Sequence, residues 1–131
     1  MATVGASTDL DKPAGGVPKR LKAIGFRVIP VNPNAVEILG EKSFASLLEV
    51  DEPVDIVQVF RPAKEAPEIA RQAVEVGAKV LWLQLGITSD EARRIAGEAG
   101  IEFIEDRCMA QETRRLGIRK DSNESRTDPV G

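Results

Sequence analysis

Short apolar runs alternate along this chain with stretches in which apolar residues recur every three or four positions, as strands alternating with helices would require. Residues 1–4 read as a very short first strand running into the small-residue turn Gly5-Ala6-Ser7. A central strand is ordinarily preceded by a covering segment, so the expectation is a start upstream of Met1 or a trimmed form. Lys12-Pro13-Ala14-Gly15-Gly16-Val17 opens a helix-like stretch, and residues 17–25 predict the helix itself. There Val17, Leu21 and Ile24 fall at i, i+4 and i+7, while Lys19, Arg20 and Lys22 face away. Pro18 is tolerable in a first turn, where no N–H is needed, and Gly25 stops the helix.

Residues 26–31 predict the second strand, with Pro30 near its end and Asn32-Pro33-Asn34 closing it. Residues 37–42 read as a loop or single turn and 43–48 as a short helix. A third strand follows at 54–60, stopped by Arg61-Pro62. Residues 66–77 predict a helix with Ile69, Ala70, Ala73 and Val76 on one face and Pro67 in its first turn. The near-continuous apolar run at 79–85 suits a strand buried on both faces, ended by Gly86. A helix over 89–100, with Ser89 as N-cap, leads to a fifth strand at 101–104. After Asp106-Arg107-Cys108, a last helical turn or two reaches about Leu116. The expected organisation is one domain over 1–116. A polar segment over 117–131 cannot bury a core and is expected to be a disordered tail.

This alternation predicts an α/β fold, a Rossmann-like doubly wound parallel five-stranded sheet in three layers. Such sheets bind ligands beyond the carboxyl ends of their strands, where strand order reverses. Here those ends carry Gly5-Ala6-Ser7, Asn32-Pro33, Phe60-Arg61-Pro62, Gln84-Leu85-Gly86 and Asp106-Arg107-Cys108. At the first of them a strand, a Gly turn and a helix start together make a cradle for phosphate.

Composition narrows the chemistry. The absence of His excludes His-based acid–base catalysis, His metal ligation and a phosphohistidine relay. One Cys excludes an internal disulfide and a thiolate zinc cluster, so no catalytic or metal-binding residue is expected. A net charge of −3 and 4% aromatic residues argue against a nucleic-acid partner. No apolar run approaches the roughly 20 residues that cross a bilayer, and no charged-then-apolar leader is present. A cytoplasmic location without a membrane partner is expected.

NAD-binding folds want G-x-G-x-x-G and an acid closing the second strand to hold the ribose diol. This chain has Gly5-Ala6-Ser7-Thr8-Asp9-Leu10 and closes that strand with Val31-Asn32-Pro33, so both elements are missing.

Val4-Gly5-Ala6-Ser7, Lys12-Pro13-Ala14, residues 25–33 and Ile38-Leu39-Gly40-Glu41-Lys42 together resemble the small bacterial and archaeal CoA-binding proteins. So do residues 77–86, Glu98-Ala99-Gly100 and Asp106-Arg107-Cys108, in order from about Thr3 to Leu116. Those proteins are themselves similar to the CoA-binding domain of the succinyl-CoA synthetase α subunit. The chain departs from them at its start, where they carry a helix before the first strand. The resemblance implies that Gly5, Ala6 and Ser7 cradle the CoA phosphates through backbone N–H groups and the Ser hydroxyl. It implies that Lys12 pairs with a phosphate, that Val31, Asn32 and Pro33 lie along the adenosine, and that Phe60, Arg61, Gln84 and Leu85 line the far walls.

The same residues have plainer readings. Gly5-Ala6-Ser7 can be only a tight turn, Asn32-Pro33 a strand stop, and Arg61 a surface partner of Glu65. Trp82 reads as packing on the face it shares with Gln84, Cys108 as a small buried hydrophobe, and Asp106 with Arg107 as a local ion pair. The function expected is non-catalytic binding of coenzyme A or an acyl-CoA. The alternative is a nucleotide-binding component of an acyl-CoA ligase or NAD(P)-dependent oxidoreductase, with catalytic residues on a partner chain. A homodimer and a partner enzyme subunit are both left open.

Overall fold

In the computed structural model, which describes residues 1–118, the chain folds into a five-stranded parallel sheet flanked by helices, an α/β Rossmann-like fold. The expected polar tail lies, from residue 119 on, outside the described residues. Strands β1 (Ala2–Val4), β2 (Ile29–Val31), β5 (Ile56–Val59), β6 (Val80–Leu83) and β7 (Glu102–Ile104) form the sheet in the order β2-β1-β5-β6-β7. From β1 the chain first builds to one side, through helix α1 (Pro13–Ala23) to β2. It then crosses to the other side of β1 to make β5, and α2 (Ala66–Glu75), β6, α3 (Asp90–Glu98) and β7 follow. Strand order therefore reverses between β1 and β5, whose register pairs Val4 with Val59. Helix α4 (Met109–Leu116), the last element among the described residues, lies beside α1.

The alternation of side chains along a strand sorts the core onto two faces. Ala2, Ile29, Val31, Val57, Val59, Leu81 and Leu83 are buried together with the Ala-rich faces of α2 and α3. Small residues there (Ala66, Ala70, Ala73, Ala92, Ala96) let these helices lie close to the sheet and to each other. On the opposite face, Leu21 of α1, Ile24 just after it and Met109 of α4 pack with Val28. This second face also carries a polar row. Thr3 Oγ1–H donates to Gln58 Oε1 (2.9 Å), and Gln58 Nε2–H donates to Gln84 Oε1 (3.2 Å).

Several elements differ from the sequence expectation. Helix α1 begins at Pro13, four residues early, so Pro18 sits inside it rather than in its first turn. An interior proline leaves the carbonyl four residues back without its usual donor. That carbonyl is Ala14 O, and it accepts the Ser7 N–H instead (3.0 Å). The second strand is only Ile29–Val31, with Pro30 at its centre. It lies at the sheet edge, and Pro30 O accepts from Phe44 N–H (3.0 Å).

Residues 37–42 are not a plain loop but a two-stranded antiparallel hairpin, β3 (Glu37–Ile38) and β4 (Glu41–Lys42). Its turn places both Leu39 (φ 55°) and Gly40 (φ 75°) in the left-handed region. Arg27 ties this hairpin to the neighbouring loop by donating to both Glu41 and Glu52, whose carboxyls it holds below the usual range. The short helix expected at 43–48 is a 3-10 turn over Leu47–Glu49, because Ser46 Oγ accepts from Leu48 N–H and starts the turn late. Ser89 caps α3 as expected, accepting from Ala92 N–H (3.1 Å).

Candidate functional site

The carboxyl ends of β1 and β5 diverge at the reversal of strand order, and the β1–α1 connection begins there. Gly5 has φ +89°, a conformation that side chains with a Cβ rarely adopt. A Cβ on Gly5 would meet Arg61 Cδ at 2.9 Å and the Phe60 carbonyl carbon at 3.2 Å. The turn therefore runs tight against the end of β5.

The loop that follows folds back over the start of α1. Asp9 N–H donates to Ser7 Oγ (3.0 Å) and Asp11 N–H to Asp9 Oδ1 (3.0 Å). Gly15 and Gly16 make room for it, since a Cβ on Gly15 would lie 2.2 Å from Asp9 O and one on Gly16 would lie 3.1 Å from Leu10 O.

This geometry revises the expected phosphate cradle. Gly5 N–H donates to Val31 O (2.9 Å) and Ser7 N–H to Ala14 O, so neither is free to bind an anion. The turn's N–H groups without a partner among the described residues are those of Ala6 and Thr8, and at the helix start that of Ala14. Ser7 Oγ accepts from Asp9, which leaves its own hydrogen to donate.

Two cavities flank the turn on opposite faces of the sheet. The larger, about 690 Å³, lies on the α1–α4 side. Lys12, Phe60, Gln84 and Leu85 line it, together with Leu10, Ile87, Gln111 and the half-buried Cys108. Leu10 and Leu85 are large apolar side chains left exposed at its edge. The smaller, about 450 Å³, lies on the α2 side. It gathers Gly5, Val31, Asn32, Pro33 and Arg61, with Ser46, Glu65 and Gln72. The expected site residues are thus divided between two chambers. Ala6 is buried at the turn between them, and Ser7 lines neither.

Sequence reasoning missed Leu10, Gln111, Ser46 and Gln72. Leu10 lies in an aperiodic loop, and the others are polar positions on helical or turn surfaces where no local pattern marks a ligand.

Several plainer readings also find their answer. Arg61 does pair with Glu65, through Nε–H to Oε1 (3.0 Å) and Nη2–H to Oε2 (2.8 Å). This pairing holds the Glu65 carboxyl below its usual range, so it is ionised at neutral pH. Trp82 packs against the buried cluster that includes Leu21, Val28 and Met109, and its Nε1–H is satisfied by Arg107 O (2.7 Å). The expected ion pair of Asp106 with Arg107 does not form. Asp106 adopts φ 58° and accepts from Gly86 N–H (2.7 Å), while Arg107 lies 4.0 Å from Glu112. A left-handed residue turns the two neighbouring side chains apart. Among the described residues no group of His, Cys, Asp and Glu could hold a metal ion, and no helix is long and apolar enough to cross a membrane.

A doubly wound parallel sheet with a Gly turn and two chambers at its reversal point places the chain in the Rossmann-like class of α/β domain. Within that class, the family described as CoA binding domain matches residues 1–114, and the chain belongs to it. It is 39% identical over 109 residues to the uncharacterized protein YneT of Bacillus subtilis, covering 83% of this chain and 81% of that one. A solved structure from Thermus thermophilus, cell-free ID.343, superposes with a TM-score of 0.84 at 41% identity, covering 88% of this chain and 87% of its own. The acetate–CoA ligase [ADP-forming] II of Archaeoglobus fulgidus is 33% identical over 121 residues, 91% of this chain but only 17% of the ligase.

Proposed function

We propose that this chain binds coenzyme A or an acyl-CoA across the β1/β5 reversal point and does so without catalysing a reaction of its own. The observation that carries this reading is the pairing of two unlike cavities on either side of one turn. Coenzyme A has two unlike halves, a phosphorylated adenosine and a long pantetheine arm, joined by a diphosphate. The smaller, more polar chamber suits the adenosine, with Val31, Asn32 and Pro33 along it and Arg61 close by. The larger chamber, walled by Leu10, Val17, Phe60, Leu85 and Ile87, suits the arm. Between them, Ala6, Thr8 and Ala14 N–H, the Ser7 hydroxyl and the flexible Lys12 ammonium serve the diphosphate.

Coenzyme A is expected to bind more tightly than NAD. No acid closes β2, and Asn32 in that place is already committed: its Nδ2–H donates to Ala6 O (2.9 Å) and its Oδ1 accepts from Asn34 N–H (2.7 Å). The hydrogen and lone pair it has left belong to a neutral amide, a weaker partner for a ribose diol than a carboxylate. Titration calorimetry with both ligands checks this, and tighter NAD binding would overturn the proposal.

Among the described residues, Glu65 is the one carboxylate lining the smaller chamber. Glu65→Gln is expected to tighten CoA binding several-fold, because it removes a negative charge near a polyanion and releases Arg61 to pair with phosphate. The gain should shrink as salt rises. Weaker binding in this variant would show that Arg61 needs Glu65 to hold its place.

A second reading is favoured by the match to one short part of the Archaeoglobus ligase. On that reading the chain is the CoA-binding piece of an acyl-CoA ligase whose catalytic residues lie on another chain. Copurification with a chain that confers acyl-CoA synthesis on the pair would establish it.

A further inference from the structure

The side chain of Gln84 is only 3% exposed, yet half of its hydrogen-bonding capacity is unused within the protein. Its Oε1 accepts from Gln58 Nε2–H (3.2 Å) and from the backbone N–H of Met109 (3.1 Å). A backbone N–H can only donate, so the atom facing Met109 is the oxygen and the orientation of the amide is settled. Its Nε2 has no partner among the described residues, and Gln84 lines the larger cavity. A buried amide donor left unsatisfied has given up its water without a replacement and destabilises the fold. Natural cores keep few such groups without a use for them.

The group is also held rigidly. Gln84 N–H donates to Val59 O (3.2 Å), and Gln84 O accepts from Ile87 N–H (2.9 Å). Gln58, which buttresses the side chain, is fully buried and braced in turn by Thr3. A donor fixed in this way loses little freedom when a ligand accepts from it.

We infer that Gln84 Nε2–H donates to an uncharged carbonyl oxygen of the ligand's arm. The inference rests on the reading of the larger cavity as the site of a CoA arm. The arm offers two kinds of carbonyl, the amides of pantetheine and, in an acyl-CoA, the thioester. Gln84 is thus a specificity-determining residue for the arm rather than for the nucleotide.

The test is Gln84→Glu, measured by titration calorimetry at pH 8 with CoA, acetyl-CoA and 3′-phospho-ADP, the same nucleotide without the arm. Glutamate keeps an acceptor for Gln58 and Met109, whose two N–H groups favour its ionised form, but it presents an oxygen where the donor was. The expected result is a loss of about tenfold or more for CoA, acetyl-CoA or both, with 3′-phospho-ADP changed less than about twofold. A loss seen with CoA itself assigns the bond to a pantetheine amide, and a loss confined to acetyl-CoA assigns it to the thioester. Unchanged affinity for both arm-bearing ligands, or an equal loss for all three, overturns the inference and leaves the proposed function standing. Failure of the unaltered protein to bind CoA overturns both.

Discussion

Gly15→Ala is expected to destabilise the chain by about 2–4 kcal/mol and to abolish measurable CoA binding, although alanine is the better helix former. Its Cβ would lie 2.2 Å from Asp9 O and 2.8 Å from Asp9 C, a collision with backbone that no rotamer change relieves. Either α1 or the loop over residues 7–11 must move. The loop carries the Ser7 hydroxyl and leads to Lys12, so the proposed diphosphate contacts move with it. The control is Gly97→Ala in α3, where a new Cβ meets nothing within 4 Å. There the same exchange is expected to stabilise by about 0.5–1 kcal/mol, the ordinary helical advantage of alanine. Thermal or urea unfolding of both variants, with CoA titration of each, reads the two opposite signs. Equal behaviour of the two would show that the loop does not rest on Gly15.

Gly5→Val is expected to weaken CoA binding by about a hundredfold, close to 2.7 kcal/mol. Two costs combine. A β-branched residue at φ +89° is strained by about 1–3 kcal/mol. Its Cβ also presses on Arg61 Cδ at 2.9 Å and on the Phe60 carbonyl carbon at 3.2 Å. The Arg61 stem can swing away, but the backbone of Phe60 is held by its N–H bond to Val4 O (2.9 Å). The peptide joining Gly5 to Ala6 must therefore rotate, and the free Ala6 N–H rotates with it. Ser7→Ala should cost less, about 1 kcal/mol, because it removes one hydroxyl and leaves the turn in place. A folded Gly5→Val protein that binds CoA like the unaltered one would remove the turn from the site.

The elements legible in sequence were those whose side chains declare a period or a stop. The apolar run at 79–85, the alanine-lined helix at 66–77 and the Ser89 cap all act locally, and each appears where expected with ends shifted by a few residues. Helix α1 was harder to read, because Pro13, Gly15, Gly16 and Pro18 are all poor helix formers. It forms because the loop at 7–11 packs on its glycines and Ser7 takes up the carbonyl that Pro18 leaves open. The hairpin at 37–42 was obscured by Leu39, a residue that seldom takes positive φ.

The sequence alone determined the order of the five sheet strands and the main helices between them, the places where those strands stop, and which residues fall at those stops. It also showed that these residues offer no imidazole, since they include no His, and only one thiol. Only the tertiary structure decided how those stops combine. Periodicity describes one segment at a time, whereas a cavity is bounded by segments far apart in the chain, as Lys12, Phe60, Gln84 and Cys108 are. Hydrogen-bond capacity is likewise settled only on folding. Gly5 and Ser7 spend their N–H groups on Val31 and Ala14, while the Gln84 amide keeps a donor in reserve because Gln58 and Met109 both claim its oxygen.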